Sequence, residues 1–491
     1  MIDHVAYMLI SMITLAILLR RFGLETVGLW TLLAALLNYG RIGDVWSKGL
    51  LSFIGEARGR NMQSDAAGYA STTVTTGAAG YLLLMSIGGA AVYSFAPHIV
   101  PPEHVELVRQ NLPVMVTAYW LIAFAGNFGL AFVGFGFIWI SAVQRIGGAL
   151  LFFMGALALD PSQGLLGILT IQILQGAAML AFGIIVFYGF IARNIHHMLW
   201  ERQKFNQLFR FGSKLFFVGG IQLAVEPMIK LLVSQFGGLA LVAVLEIVMR
   251  LVQGFRGLII SIGQVLVTSF SRLRGGYLTA DSAPLRDNFA QAMQLFLGGS
   301  LVAFSLLFSV APLVSLMFLN AEAQAGSGTS FLTMLWVLGT AWFINTVASP
   351  GYFLLMSLRA SRQLFFSVMI RAGLIAVLGF PFGSVFGLDG IMVVVLLAHI
   401  ISSTYLFFMA SKAIHLPISK GLFEFLRSDP LIFIPFVWAT GLTALWIVAP
   451  SVLNQPFMLG AYAIGLLSTG LLVLRYSHVR FLLRTVGDLR P

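Results

Sequence analysis

Residues 209–253 read FRFGSKLFFVGGIQLAVEPMIKLLVSQFGGLALVAVLEIVMRLVQ. Two apolar runs flank the pair Gly237-Gly238. A helix needs about 20 apolar residues to cross roughly 30 Å of hydrocarbon, and each run approaches that length. Four charges are embedded in them: Glu226, Lys230, Glu246 and Arg250. Ionisable groups at bilayer depth are costly unless they face a cavity or one another. The stretch therefore reads as two membrane helices that carry built-in charge pairs.

The rest of the chain agrees. Of 491 residues, 59% are hydrophobic and only 10% charged, and the mean hydropathy is +0.93. An ordinary soluble domain carries about 25% charged residues, so this chain could not cover its own surface in water. A soluble enzyme, a disordered protein and a nucleic-acid-binding domain are disfavoured. The absence of cysteine excludes disulfides, thiolate metal sites and cysteine nucleophiles. What remains is an all-α polytopic membrane protein.

Hydropathy predicts fourteen spans: 4–19, 27–47, 68–95, 112–136, 142–159, 164–191, 212–234, 239–270, 289–318, 331–356, 364–383, 390–411, 431–449 and 457–474. With the N-terminus in the cytoplasm, 21 of the 29 Lys+Arg fall in cytoplasmic segments or, for Arg145 and Lys214, in the first turn of a span at its cytoplasmic end. Only Arg20, Arg21 and Arg109 fall outside. That asymmetry is the positive-inside signature, and it places the basic C-terminal tail in the cytoplasm as well. Topology thus accounts for the net charge of +11 without nucleic acid. No basic residue precedes the first apolar run, and a start codon further upstream would account for that.

Chemistry-bearing motifs are few. No phosphate loop and no H-E-x-x-H occurs. His196-His197 sits in a basic loop and reads as a solvated pair. The longest outer loop, 96–111, offers only His98, Glu103, His104 and Glu106, too little for a glycosyltransferase site. No catalytic residue, metal or cofactor is expected, and the chain is not read as an enzyme.

Five basic residues lie within the spans away from their first turns: Arg41, Lys230, Arg250, Arg256 and Arg371. The acids there are Asp44, Glu226 and Glu246. Glu226/Lys230 and Glu246/Arg250 are i,i+4 neighbours on one helix face, and Arg41/Asp44 are i,i+3. Arg256 and Arg371 have no acid at helical spacing. One reading is self-neutralising pairs that lock helices together. The other is a wet cavity with excess positive charge that takes an anionic ligand, since the guanidinium fork suits phosphate. Pro227 removes a backbone donor beside Glu226 and can kink that span. Pro350-Gly351 is a second candidate hinge.

An internal repeat is suggested by an offset of 214. Phe22-Gly23 then falls on Phe236-Gly237, and Arg58-Gly59-Arg60 on Arg272-Leu273-Arg274. Two six-helix bundles of like topology, at 1–195 and 212–411, would follow. A cytoplasmic linker (196–211) would join them. Two extra spans and a basic tail would fill 412–491.

The stretch LLRRFGLETVGLWTLLAALLNYGRIGDVWSKGLLSFIGEARGR (18–60) resembles the opening of bacterial polysaccharide transporters, the O-antigen and exopolysaccharide flippases. Arg21, Phe22, Gly23, Gly28, Leu29, Trp30, Asp44 and Gly49 sit where that pattern wants them. Residues 209–253 look like the start of that family's second bundle. Glu25-Thr26-Val27 departs from the family's usual Pro-Glu-aromatic turn.

The resemblance implies the multidrug/oligosaccharidyl-lipid/polysaccharide exporter superfamily, a MATE-like fold and a place in the bacterial inner membrane. Its cargo would be an undecaprenyl-pyrophosphate-linked oligosaccharide. Arg41, Lys230, Arg250, Arg256 and Arg371 are then expected to meet the headgroup phosphate. Glu226, Glu246 and Asp44 would be their charge partners or a site for a coupling H+ or Na+. A lipid II flippase and a cation-coupled multidrug exporter are the nearest alternatives. A non-transporting scaffold of a polysaccharide export system is the alternative of another class.

Overall fold

The computed structural model describes residues 2–37, 50, 53–54, 57–58, 62–191, 200–276, 283–318, 321–358, 360–415, 437 and 441. Among the described residues the α-helices include α1 (Ile2–Leu37), α2 (Gln63–Ile99), α3 (Pro102–Gly134), α4 (Ile138–Ala158), α5 (Gly164–Val186), α6 (Arg202–Gly276), α7 (Ala283–Phe318), α8 (Ala321–Val347), α9 (Ser349–Ser357) and α10 (Ser361–Ala413). Among the described residues, nine helical stretches are long and apolar enough to cross a membrane. The first twelve predicted spans fall on these nine, because three stretches hold two spans apiece. Spans thirteen and fourteen lie outside the described residues.

The three doubled helices are broken by glycine. Gly23 (φ 79°, ψ 166°) interrupts α1, Gly238 (φ 79°, ψ 173°) interrupts α6, and Gly387 (φ 60°, ψ −141°) interrupts α10. Only glycine enters these regions without a Cβ clash. In α6 the break reverses the chain. Lys230 and Glu246 are 16 residues apart and would be about 24 Å apart in a straight helix, yet Nζ and Oε2 lie 2.6 Å apart. Likewise Ser367 donates to the carbonyl of Ser402, 35 residues on, at 3.2 Å in α10.

The same glycines correct the repeat register. Gly23 and Gly238 share one conformation, an offset of 215 (238 − 23) rather than 214. The letters F-G pick out Gly237, but the turn needs the residue with positive φ, which is Gly238. The basic stop slides with it: Arg58 falls on Leu273, and Gly59 on Arg274. A second pair supports the duplication. Gly164 (φ 53°, ψ −135°) opens α5, and Gly387 repeats that conformation within α10.

The chain divides into two compact units. The first is Met1–Ile247 with Arg371–Ile391, and the second is Val248–Ile370 with Met392–Pro491. In the first unit α3 packs on α5 and α2. Its core includes Ile54, Ala70, Val74, Phe128, Phe132 and Phe187. Buried amides tie these helices together. Trp30 Nε1 donates to Gln172 Oε1 at 3.0 Å, and Gln172 Nε2 donates to the Tyr119 hydroxyl at 3.3 Å. Gln144 Nε2 donates to the carbonyls of Ala125 (3.1 Å) and Met179 (2.9 Å). In the second unit Phe304, Phe308, Phe331 and Leu335 are buried, and α7 packs on α8. Leu83, Trp139, Ile185, Val377 and Val385 are exposed on helices, an arrangement suited to lipid and not to water.

Two local features account for charges at the ends of spans. Arg21, on the side predicted to be poor in basic residues, caps a helix: its Nη1 donates to the Ala156 carbonyl at 2.9 Å and to that of Leu157. These are last-turn carbonyls of α4, where the helix dipole favours a cation. Nearby, hydrogen bonds from the Ser162 backbone and hydroxyl hold the Asp160 carboxyl below its ordinary value, and Arg21 adds to that effect. On the opposite side, residues 202–211, read as linker, already belong to α6. Lys204 pins this start to α2. It lies 3.2 Å from Asp65 and 2.7 Å from Glu201, and its ammonium sits over the Tyr69 ring.

Candidate functional site

Among the described residues, each unit holds a cluster of intramembrane charge. The first unit's cluster centres on Lys230. Its helix carries Glu226 one turn earlier and Glu246 beyond the Gly238 break. Residues 230 and 246 are equidistant from Gly238, eight on either side, so a reversal there sets them face to face. Lys230 Nζ lies 2.9 Å from Glu226 Oε1 and 2.6 Å from Glu246 Oε2, and it donates to the Thr31 carbonyl at 3.4 Å. An ammonium has three donors, and here all three have acceptors. The lysine side chain is 3% exposed, Glu246 11% and Glu226 49%.

The formal charge of this trio is −1. Lys230, expected to meet a phosphate, has no donor left for one in this arrangement. Glu246, which helical spacing assigned to Arg250, lies on Lys230. The repeat adds a further relation. Thr31 and Glu246 are equivalent at the 215 offset, and Lys230 bonds both. Gly28 and its equivalent Ala243 also meet: a Cβ on Gly28 would stand 1.8 Å from the Leu239 carbonyl oxygen and 3.4 Å from Ala243 N. Only glycine permits that approach.

The second unit's cluster centres on Arg256, in the latter part of α6. Its guanidinium carbon lies 4.6 Å from the centre of the Trp342 ring, a cation–π contact. Nη1 donates to Gln253 Oε1 at 3.2 Å and Nη2 to Asn345 Oδ1 at 3.5 Å. Asn345 in turn donates to Ser403 Oγ at 3.4 Å. Behind Trp342 lies His399, fully buried, at 5.0 Å between ring centres in an edge-on geometry. Its Nδ1 is 2.8 Å from the Val395 carbonyl. Since that oxygen only accepts, Nδ1 carries the hydrogen. Gln253, Arg256 and Asn345 are half-buried, whereas Trp342, His399 and Ser403 are buried.

The other expected residues divide between the two units or lie outside the described residues. Arg250 is half-buried and belongs to the second unit. Arg371 is buried and belongs to the first. Arg41 and Asp44 lie outside the described residues. Sequence reasoning missed the Lys230–Glu246 contact, although the symmetric spacing about Gly238 signalled it. It also missed Trp342, Asn345 and His399. These stand 86 to 143 residues beyond Arg256 (342 − 256; 399 − 256), and no local pattern joins them.

No family model matches the sequence, and no curated protein does. Solved structures do resemble it. An inward-facing multidrug resistance MATE family transporter of the MOP superfamily aligns with a TM-score of 0.66 at 14% identity, over 84% of this chain and 94% of its own. The lipid II flippase MurJ, in an inward closed conformation, aligns with a TM-score of 0.64 at 14% identity, over 98% and 99%. The Vibrio cholerae MATE transporter VcmN aligns with a TM-score of 0.59 at 14% identity, over 88% and 96%. The fold is MATE-like. The expected fold class, all-α and polytopic, therefore stands.

Proposed function

We propose that the chain is a flippase that moves an undecaprenyl-pyrophosphate-linked oligosaccharide across the bacterial inner membrane by alternating access, with both termini in the cytoplasm. The observation that carries this reading is Arg256, a guanidinium within an apolar span that donates to Gln253 and Asn345 and lies over the Trp342 ring. An arginine kept within an apolar span suits an anionic ligand. Two bundles, 1–195 and 212–411, are the moving parts of that cycle. The headgroup enters from the cytoplasm, and Arg41, Arg250, Arg256 and Arg371 neutralise its phosphates. The lipid tail remains in the bilayer.

Lys230 plays a different part from those arginines. It gathers Glu226 and Glu246 into a trio of net charge −1, which suits a coupling H+ or Na+. Asp44 serves as a partner to Arg41. The two segments beyond residue 411 support lipid-linked cargo over a drug. The MATE structures leave part of this chain unmatched, whereas the lipid II flippase is matched over 98% of it. That same coverage favours one second reading, lipid II itself as cargo.

The test replaces Arg250 and Arg256 singly with Gln in a cell lacking its own flippase. Surface polysaccharide is expected to fall to the level of the empty strain while protein abundance holds. Unchanged surface polysaccharide at normal abundance would refute a necessary phosphate clamp. Rescue of a peptidoglycan defect in place of a polysaccharide defect would select lipid II.

A further inference from the structure

Lys230 Nζ is ringed by three oxygens of the first unit: Glu226 Oε1 at 2.9 Å, Glu246 Oε2 at 2.6 Å and the Thr31 carbonyl at 3.4 Å. Carboxylate and backbone carbonyl oxygens are the ligands that hard metal cations take. The three come from separate pieces of chain. Glu226 lies in the first half of α6, Glu246 beyond the Gly238 break, and Thr31 in the second half of α1. Gly28, one turn before Thr31, lets α1 close on the α6 backbone at Leu239, and that approach brings the Thr31 carbonyl within reach of the lysine. Two carboxylates brought together across a reversal repel each other unless a cation stands between them. An ion pair that merely ties two helices needs one carboxylate. Here the ammonium takes two and a carbonyl as well, which is the surrounding of an ion in a site.

We propose that the Lys230 ammonium is a tethered cation: it fills a monovalent-cation site built from Glu226, Glu246 and Thr31, so Na+ from solution does not bind there, and removing the ammonium opens the site to a free alkali cation. Glu226 is exposed on one side of the trio, which gives such an ion a way in. A tethered charge differs from a dissolved one because it cannot leave for the other side of the membrane. The transport consequence rests on the flippase reading and narrows its coupling ion at this trio to H+. The filling of the site by Lys230 does not depend on what the cargo is.

The test melts the purified full-length protein in detergent with NaCl, KCl or choline chloride at equal ionic strength. Choline is too large for the trio, and matched ionic strength removes general screening. Wild type is expected to melt within about 1 °C in all three salts, since no ion binds the trio. Lys230→Ala is expected to melt below wild type in choline chloride and to rise by about 2 °C or more in NaCl or KCl, because an ion that binds only the folded state stabilises it. The salt that gives the larger rise identifies the cation that fits. Adding Glu246→Gln to Lys230→Ala removes a ligand and should abolish the rise.

A folded Lys230→Ala protein that melts alike in all three salts overturns the proposal, and so does a wild type that Na+ stabilises over choline. Should Lys230→Ala fail to fold, Lys230→Gln, which keeps more of the side-chain volume, is melted in its place. The transport consequence is read on wild type in liposomes with a fluorescent undecaprenyl-pyrophosphate oligosaccharide. Equal rates in Na+ and in choline are expected, and movement that stops without Na+ overturns the proposal while the flippase reading stands. Folded wild type that moves no lipid in either salt defeats the flippase reading, and the melting series still decides whether Lys230 fills the site.

Discussion

At the scale of single residues, Lys230 and Arg256 show how identical formal charge serves different ends. Lys230 is enclosed, and its three donors are spent on Glu226, Glu246 and the Thr31 carbonyl. Removing it takes from Glu246, whose side chain is only 11% exposed, its ion-pair partner at 2.6 Å. Breaking one side of a buried pair costs about 3–5 kcal/mol. Lys230→Met should therefore unfold well below wild type in detergent, as read by thermal denaturation. Adding Glu246→Gln should restore most of the loss, because the carboxylate charge is then gone. A single Lys230→Met that melts like wild type would contradict the burial argument. Spacing along the helix made Glu226–Lys230 legible. The same spacing pairs Glu246 with Arg250, but it sees only neighbours on one helix and so could not reveal Lys230 as a partner of Glu246 across the reversal.

At the scale of elements, glycine decides where helices stop. Hydropathy located the spans well, since apolar length is a direct consequence of membrane thickness. It also divided α1, α6 and α10 into their halves, but it could not single out the one residue at which each helix breaks. The repeat was legible for the same reason that its register was off by one: two adjacent glycines look alike as letters and differ in backbone angle. A Cβ added to Gly23 or Gly238 would meet nothing within 4 Å, so alanine at either site meets only backbone strain. Each should lose about 1–3 kcal/mol, and the two losses should match, as thermal denaturation would measure. Gly28→Ala is a different case. Its Cβ would collide with the Leu239 carbonyl at 1.8 Å, so the helices must separate, and the variant should accumulate poorly. Normal yield and melting of Gly28→Ala would show that this contact yields more easily than its geometry implies.

At the scale of the whole molecule, membrane topology explains the charge that composition left ambiguous. Basic residues gather on one side of the membrane in the predicted topology, and Arg21, an exception, is accounted for by the carbonyls it caps. The expectation of a MATE-like fold came from the resemblance of residues 18–60 and 209–253 to polysaccharide transporters, beside the predicted apolar segments. The candidate site followed only in part. Arg256 could be singled out as an arginine with no acid at helical spacing, yet Trp342, Asn345 and His399 beside it lie on α8 and α10. Such groups are brought together by tertiary packing, which periodicity does not record.

The account depends on an arginine that greets a pyrophosphate during movement between leaflets. The direct measurement reconstitutes the purified protein in liposomes with a fluorescent undecaprenyl-pyrophosphate oligosaccharide, and follows the fraction made accessible to a membrane-impermeant quencher. Wild type should equilibrate the lipid between leaflets, and Arg256→Gln should fall to the rate of empty liposomes. Equal rates for wild type and Arg256→Gln, or no movement above protein-free liposomes with folded wild type, would contradict the account.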